Sequence, residues 1–503
     1  MTSIIIRGSI TSGAAAEQDD GPKEGAMVGC RRPDAMLLLA LGVVTLHARL
    51  AAAQAGPSDV QVSRKDFLAW VQDCAIELDT LDWRSADLSR LSVLDKLLEG
   101  KRMVFLGEPD HYVREKYDFQ LIFIRYLFER GWRYVGMEMG RADGRRIDRY
   151  LETGDIAWLD RVASYGYKGD ERANRKDIPE GLVPKKSDRD FVENIHDEQY
   201  WFQKQLRSLN ETLPPGKPRP RWFGFDADLR PGGAYVDAEQ LLRPREPDPL
   251  ARKILQRLAR PEKESRPDEI ERLTSLLAFL EREEAGVREL LGEADAVELR
   301  RTLQCLTDGL SFIEAGRKGT SSAEWLPAMR RREETMFRQM DDVLADLPPD
   351  EKIILLGGFM HLSKNSDVLQ FGAKDDPYAS PMWPSIGDYL DKKLPGEVYS
   401  IWMLYDHGRH GVPMLEDPIK EVRTYPQTVE HLLAKAAERF FLPFHTGDPR
   451  EAYLDFVRNF RPNGGSGSGL LTTHADAIFF VAEVHEPGWQ RPVSGARRPV
   501  PGL

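Results

Sequence analysis

Glu108, His111 and Glu138 stand where two apolar runs end, in "LGEPDH" (Leu106 to His111) and "VGMEM" (Val135 to Met139). A carboxylate beside a histidine can hold the imidazole in one tautomer, so that the ring takes a proton from water. The same placement recurs down the chain: Asp226 ends "RWFGFD", His361 follows "KIILLGG", and Asp406 and His407 follow "EVYSIWMLY". A set of two glutamates and two histidines has two physical uses. Without a metal, a histidine activates water while the other groups position the substrate and stabilise developing charge. With one, Glu108, His111, Glu138 and His361 would hold a divalent ion such as zinc or manganese and activate a bound water. Both routes end in hydrolysis, and the residue types alone leave the choice open.

Taken singly, each residue has a plainer reading. A glutamate after a strand is usually a helix cap or a surface charge, and a histidine in a loop is usually unremarkable. Asp110 reads as a cap or turn residue, and "DHGRH" (Asp406 to His410) as pocket lining or as an exposed loop. His196, His474 and His485 carry no motif and read as structural. Convergence is what gives the set weight, and convergence depends on the elements that carry it.

Met103 to Gly107 is too short and too apolar for anything but a buried strand. Arg114 to Arg130 then carries Phe119, Ile122, Phe123, Tyr126 and Leu127 on one helical stripe and stops at Gly131, and "WRYVGMEM" follows as a second strand. Strand, helix, strand in this length is a right-handed unit with parallel strands. Four more runs look alike: Arg221 to Asp226, Lys352 to Gly358, Glu397 to Tyr405 and Ala475 to Glu483. The expected fold is α/β, a mostly parallel central sheet flanked by helices. A charge-rich helical insertion at about 239–347 forms a cap, and its charges read as a solvated face with no assigned role. Ligands of such sheets bind at the carboxyl ends of the strands, where all of these ionisable residues fall.

The totals narrow the function. Of 503 residues, 41% are hydrophobic and 30% charged, as in a globular protein with a large core, and the net charge of -11 speaks against general nucleic-acid binding. Small molecules are the expected partners. From Met27, a basic start (Arg31, Arg32), an apolar run from Ala35 to Leu46 and Ala53-Gln54-Ala55 read as a secretory leader over 27–55. Residues 1–26 read as a dispensable or untranslated extension. The apolar run is shorter than the roughly 20 residues that span a bilayer, so export to the periplasm or exterior without stable membrane insertion is expected. Residues 56–100 read as a helical segment with Phe67, Leu68, Val71, Cys74 and Leu78 on one face. Arg461 to Gly469 reads as a flexible loop, and residues 487–503 as a disordered tail closing the 101–486 domain. Past the leader only Cys74 and Cys305 remain, enough for one disulfide at most and too few for a cysteine zinc site. There is no Gly-x-Ser-x-Gly elbow, no dinucleotide fingerprint after the first strand and no P-loop.

"LGEPDH" resembles the Leu-Gly-Glu-x-x-His signature of erythromycin esterase-like proteins, and "VGMEMGRADGRRIDRYLETGD" resembles their second-glutamate segment. "WFGFDA", "RREETM" (Arg331 to Met336), "SIGDYLDKKLPGEVYSI" and "ADAIFFV" extend the resemblance from about Met103 to Val481. It implies a hydrolase that opens an ester or lactone with activated water; with the leader, the expectation is an exported hydrolase without a cofactor, a divalent metal being the alternative. His111 would be the general base, Glu108 and Glu138 would orient it and the water, and His361 would bind or polarise the carbonyl. Asp226 would support the pocket floor, with His407 as a further substrate-binding residue. One departure is clear: where the family has His-Asn-x-His, this chain has Gly358-Phe359-Met360-His361. The Gly-x-x-His form is similar to the wider superfamily, whose Tiki and TraB-like metal-dependent peptidases and ChaN-like haem- or iron-binding proteins supply the alternatives.

Overall fold

A computed structural model describes residues 62–164, 167–168, 189–213, 219–229, 232–261, 263–316, 325–372, 380–410, 420–426, 428–457, 459–460 and 467–487. The expected leader, the extension before it, the tail after 487 and most of the Arg461 to Gly469 loop lie outside these residues.

One nine-stranded sheet organises the rest. Its strands are β1 (Ile76–Glu77), β2 (Met103–Glu108), β3 (Tyr134–Gly140), β4 (Arg221–Asp226), β5 (Ile353–Gly358), β6 (Val398–His410), β7 (Lys420–Arg423), β8 (Arg439–Pro443) and β9 (Ala477–Val484). They lie in the order β1-β8-β9-β6-β2-β5-β3-β4, with β7 paired to the far end of β6. From β9 to β4 every neighbour is parallel, and β8, β1 and β7 add antiparallel pairs. The mostly parallel α/β architecture expected from the sequence is the one found. β2 and β3 run parallel, as expected of a strand-helix-strand unit, but they are not neighbours. β5 lies between them, setting Gly107 opposite Gly357 and Met137 opposite Leu356. β8 is a further strand not expected from the sequence, an apolar run that ends in Pro443.

Every residue of β2 and β5 is buried. Alternate side chains serve opposite faces, as the two-residue period of a strand requires. Val104, Leu106, Ile354 and Leu356 join the core formed with α2 (Glu115–Glu129). Met103, Phe105, Ile353 and Leu355 join Met336, Met340, Ile386 and Leu390 on the other side. After β3 comes α3 (Arg141–Thr153), and α4 (Arg189–Glu211) precedes β4. The insertion is helical as expected: α5 (Gly232–Leu242), α6 (Pro249–Leu258), α7 (Arg266–Arg282), α8 (Glu284–Leu291), α9 (Glu293–Gly316) and α10 (Trp325–Asp346). Its own core gathers Leu242, Ile254, Leu276 and Leu303. α10 breaks from that core to pack under the sheet, and α11 (Ile386–Lys393) lies beside it. In the N-terminal segment, α1 (Arg64–Cys74) buries Phe67, Trp70 and Val71, while Leu68 and Cys74 stay partly exposed. Cys74 and Cys305 are both free thiols. Among the described residues no helix is long and apolar enough to cross a membrane.

α3 follows the strand that carries Glu138 and is pressed hard against β4. A Cβ added at Gly144 would stand 1.9 Å from the Gly224 nitrogen, so only glycine permits this approach. Gly144→Ala is therefore expected to destabilise the protein by about 1–3 kcal/mol through overpacking. Chemical denaturation checks this; an unchanged midpoint would mean that α3 can back away from the strand.

Candidate active site

The carboxyl ends of β2, β3, β4 and β5 bring Glu108, Glu138, Asp226 and Gly358 to one edge of the sheet. Glu108 is buried, and its Oε1 lies 2.5 Å from His111 Nδ1. Lys116 Nζ donates to the same oxygen at 3.1 Å, and Gln120 Nε2 donates to Oε2 at 3.0 Å. Both donors lie in the first turns of α2, which starts just after the His111 loop. Burial opposes ionisation of Glu108, but Lys116 and His111 outweigh it and hold the carboxyl below the ordinary glutamate value. The imidazole is thus oriented through Nδ1.

Glu138 Oε2 accepts from the Gly358 N–H at 2.7 Å, and Oε1 accepts from Arg332 Nη2 at 2.8 Å. Burial would raise this carboxyl, yet His361, His111, Arg332 and the Gly358 N–H together bring it down to about 2. Arg332 also grips Asp226, with Nε 3.0 and 3.1 Å from its two oxygens and Nη2 2.5 Å from Oδ2. Such a two-pronged grip suits the planar guanidinium fork. The remaining nitrogen, Nη1, lies 3.4 Å from His361 Nε2.

His361 sits in the loop after β5, its backbone oxygen accepting from Gly387 N at 2.8 Å. Its Nδ1 is bonded to Glu333 Oε1, and its Nε2 lies 3.4 Å from Glu138 Oε1. Burial disfavours the charged ring, but Glu138 and Glu333 more than offset that and raise His361 above the ordinary histidine value. His111 and His361 meet over Gly358: a Cβ added there would lie 3.5 Å from His111 Cε1, 3.6 Å from His361 Cδ2 and 3.4 Å from Glu138 Oε2. Gly358, one of the two residues that depart from the expected His-Asn-x-His pattern, thereby forms the floor between the two rings.

Glu108, His111, Glu138, Asp226 and His361 are brought together. His407 is not part of that group: its Nδ1 lies 3.1 Å from Asp406 Oδ2, and among the described residues no contact joins it to the other five. Asp110 accepts from the Tyr112 N–H at 3.0 Å, the turn role read from the sequence, and its other oxygen faces His410 Nδ1 at 3.3 Å. His474 stacks on Trp402 and bonds the Lys364 oxygen, with burial pushing it down to about 4. His485 pairs with Glu115 at the start of α2, and the side chain of His196 lies outside the described residues.

The reading of the insertion's charges as a solvated face is corrected at several positions: Glu269 is buried, and two more of them reach the site. Arg332 and Glu333 of α10 are turned inward, with side chains 10% and 1% exposed. The signal was phase. Met329, Glu333, Met336 and Met340 share one buried stripe at helical spacing, and Ala328, Arg332, Thr335 and Gln339 share the next.

Among the described residues no group of three or more His, Cys, Asp or Glu side chains is arranged to hold a metal ion. The alternative ligand set shows why: Glu108 is committed to His111, Lys116 and Gln120, and Glu138 to Arg332 and the Gly358 N–H. The residues present do not fit a divalent ion.

The erythromycin esterase family model matches residues 128–484, and the chain belongs to that family. The match begins after Glu108 and His111, which the fold nonetheless sets against Glu138. Among curated proteins, none matches the chain by sequence. The fold is similar to three solved structures. A Bacillus cereus protein has a TM-score of 0.61 at 15% identity, over 85% of this chain and all of that one. A succinoglycan biosynthesis protein has a TM-score of 0.59 at 14% identity, over 85% of this chain and 98% of that one. A histidine-to-asparagine mutant of the erythromycin esterase EreC, in its open conformation, has a TM-score of 0.56 at 18% identity, over 83% of this chain and 99% of that one.

Glu138 is lowered on folding, so its contribution to stability is present above the ordinary value of 4.5 and lost as pH falls through about 2. Acid unfolding of the wild type should steepen across that window, and Glu138→Gln should flatten the slope there. Equal slopes in the two proteins would contradict the ion cluster. Arg332→Met, which leaves Glu138 and Asp226 buried without their cation, is expected to cost about 3–5 kcal/mol by chemical denaturation.

Proposed function

We propose that the protein hydrolyses an ester or lactone of a small molecule by water activated at His111. The observation that carries this reading is the Glu108–His111 pair facing His361 across Gly358. Glu108, fixed by Lys116 and Gln120, holds the imidazole so that its Nε2 takes a proton from water as the water oxygen bonds to the carbonyl carbon. Negative charge then grows on the carbonyl oxygen, and His361, which is buried, and Arg332, which is nearly so, supply donors for it. Glu138, anchored by the Gly358 N–H and Arg332, orients the attacking water. Asp226 keeps Arg332 aimed, acting through the guanidinium without touching the substrate. Family membership supports the hydrolase class. The leader read at 27–55 supports action in the periplasm or outside the cell, and the pattern of fixed side-chain donors supports chemistry without a cofactor.

Hydrolysis of a panel of aryl esters, alkyl esters and lactones by residues Gly56 to Leu503, beside His111→Ala, tests the proposal. Turnover by the wild type that falls by about 10²–10⁴-fold in the variant is the expected result. Turnover untouched by His111→Ala would remove the base assignment, and no turnover by the folded wild type would remove the hydrolase reading.

A further inference from the structure

Glu333 stands next to Arg332 on α10 yet serves a different partner. Its Oε1 accepts from His361 Nδ1 and from Trp383 Nε1 at 2.7 Å, and its Oε2 accepts from Ile386 N at 2.8 Å. Both oxygens are occupied as acceptors, which is the arrangement of a carboxylate and not of a carboxylic acid. Ile386 opens α11, so this carboxylate also lies at the end of that helix where its dipole favours negative charge. The site thus holds two carboxylate–histidine pairs, Glu108–His111 from β2 and its loop, and Glu333–His361 joining α10 to the loop after β5.

We propose that Glu333 is a positioning residue that holds His361 as the proton donor to the departing alcohol oxygen, an inference that rests on the hydrolase reading above. An ester carbonyl seated over Gly358 has His111 on one side and His361 on the other. Water adds to the carbonyl carbon and its proton passes to His111 Nε2. When the tetrahedral intermediate collapses, the bond from carbon to the alcohol oxygen breaks, its electron pair stays on that oxygen, and the proton comes from His361 Nε2. Acid and alcohol leave; His111 then gives up one proton to solvent and His361 takes one back. Arg332 Nη1, 3.4 Å from His361 Nε2, cannot replace the histidine, because a guanidinium does not release a proton. Its part is electrostatic. Glu333 favours the protonated ring and fixes Nδ1–H toward itself, leaving the Nε2 proton for transfer.

A series of esters of one acid with alkyl and aryl leaving groups separates this role from a merely structural one. Glu333→Gln keeps the shape and removes the charge. It is expected to lower kcat for alkyl esters by about a hundredfold, since alkoxides need a proton to depart. Esters of acidic phenols, which depart without one, should stay near wild type, and Glu333→Asp should recover part of the alkyl-ester rate. Equal loss across the series would overturn the donor role, and it is also what a partly misfolded variant gives. The ¹⁵N resonances of the His361 ring decide the positioning independently of turnover. The Glu333→Gln protein should lose the strongly bonded Nδ1–H signal of the wild type, and an unchanged spectrum would overturn the proposal. If the wild type hydrolyses no ester, the hydrolase reading fails and the donor role with it, while the spectrum still decides whether Glu333 positions His361.

Discussion

Removing a carboxylate from water costs several kcal/mol unless charge and hydrogen bonds replace what water supplied. Glu108, Glu138, Asp226 and Glu333 are all nearly buried, and the rest of the site is organised around that cost. Arg332 is the central answer, a single guanidinium bound to Asp226 and Glu138 and reaching His361. Lys116, fully buried, does the same for Glu108. Burial tends to discharge that lysine and Glu108 opposes it, so the two charges sustain each other. The helices are held in place partly because these charges have nowhere else to go.

The same constraint explains why the insertion is more than a lid. α10 contributes Met336 and Met340 to the core beneath β2 and β5, and from the same helix it sends Arg332 and Glu333 to the strand ends. Packing and chemistry are therefore set by one helical phase. A rotation of α10 that moved the guanidinium from Asp226 would also pull apolar side chains from the sheet. Gly358 complements the helix from the sheet side. Its N–H donates to Glu138, and the absence of a side chain leaves the space between His111 and His361 clear.

Much of this was legible from residue order. Parallel strands buried on both faces read as short continuous apolar runs, and ionisable residues directly after them fall at one edge of the sheet, so Glu108, Glu138, Asp226 and His361 announced their positions. Neighbour relations were less legible. Nothing in Met103 to Gly140 shows that a strand more than two hundred residues later would part β2 from β3, because pairing depends on which edge the crossover leaves open. Arg332 and Glu333 were hidden in "RRREE", where a charge run usually means a solvated face, and only their phase with Met329, Met336 and Met340 sets them apart. His407 shows the opposite limit: following a strand did not place it with the others, since β6 continues past it to His410 and pairs there with β7.

The central position of β5 has a consequence for how the molecule comes into being. β2 and β3, with His111 and Glu138, precede α5 to α10 in the chain, while the strand that joins them follows. Until residues beyond Gly358 are available, β2 and β3 each present an unsatisfied inner edge, and the two halves of the site have no common scaffold. Closing the sheet requires contacts across a long stretch of sequence, which makes it a late and slow event in folding. The site cannot be assembled by degrees: a nascent chain ending within the insertion would carry His111 and Glu108 but neither Gly358 nor the facing His361.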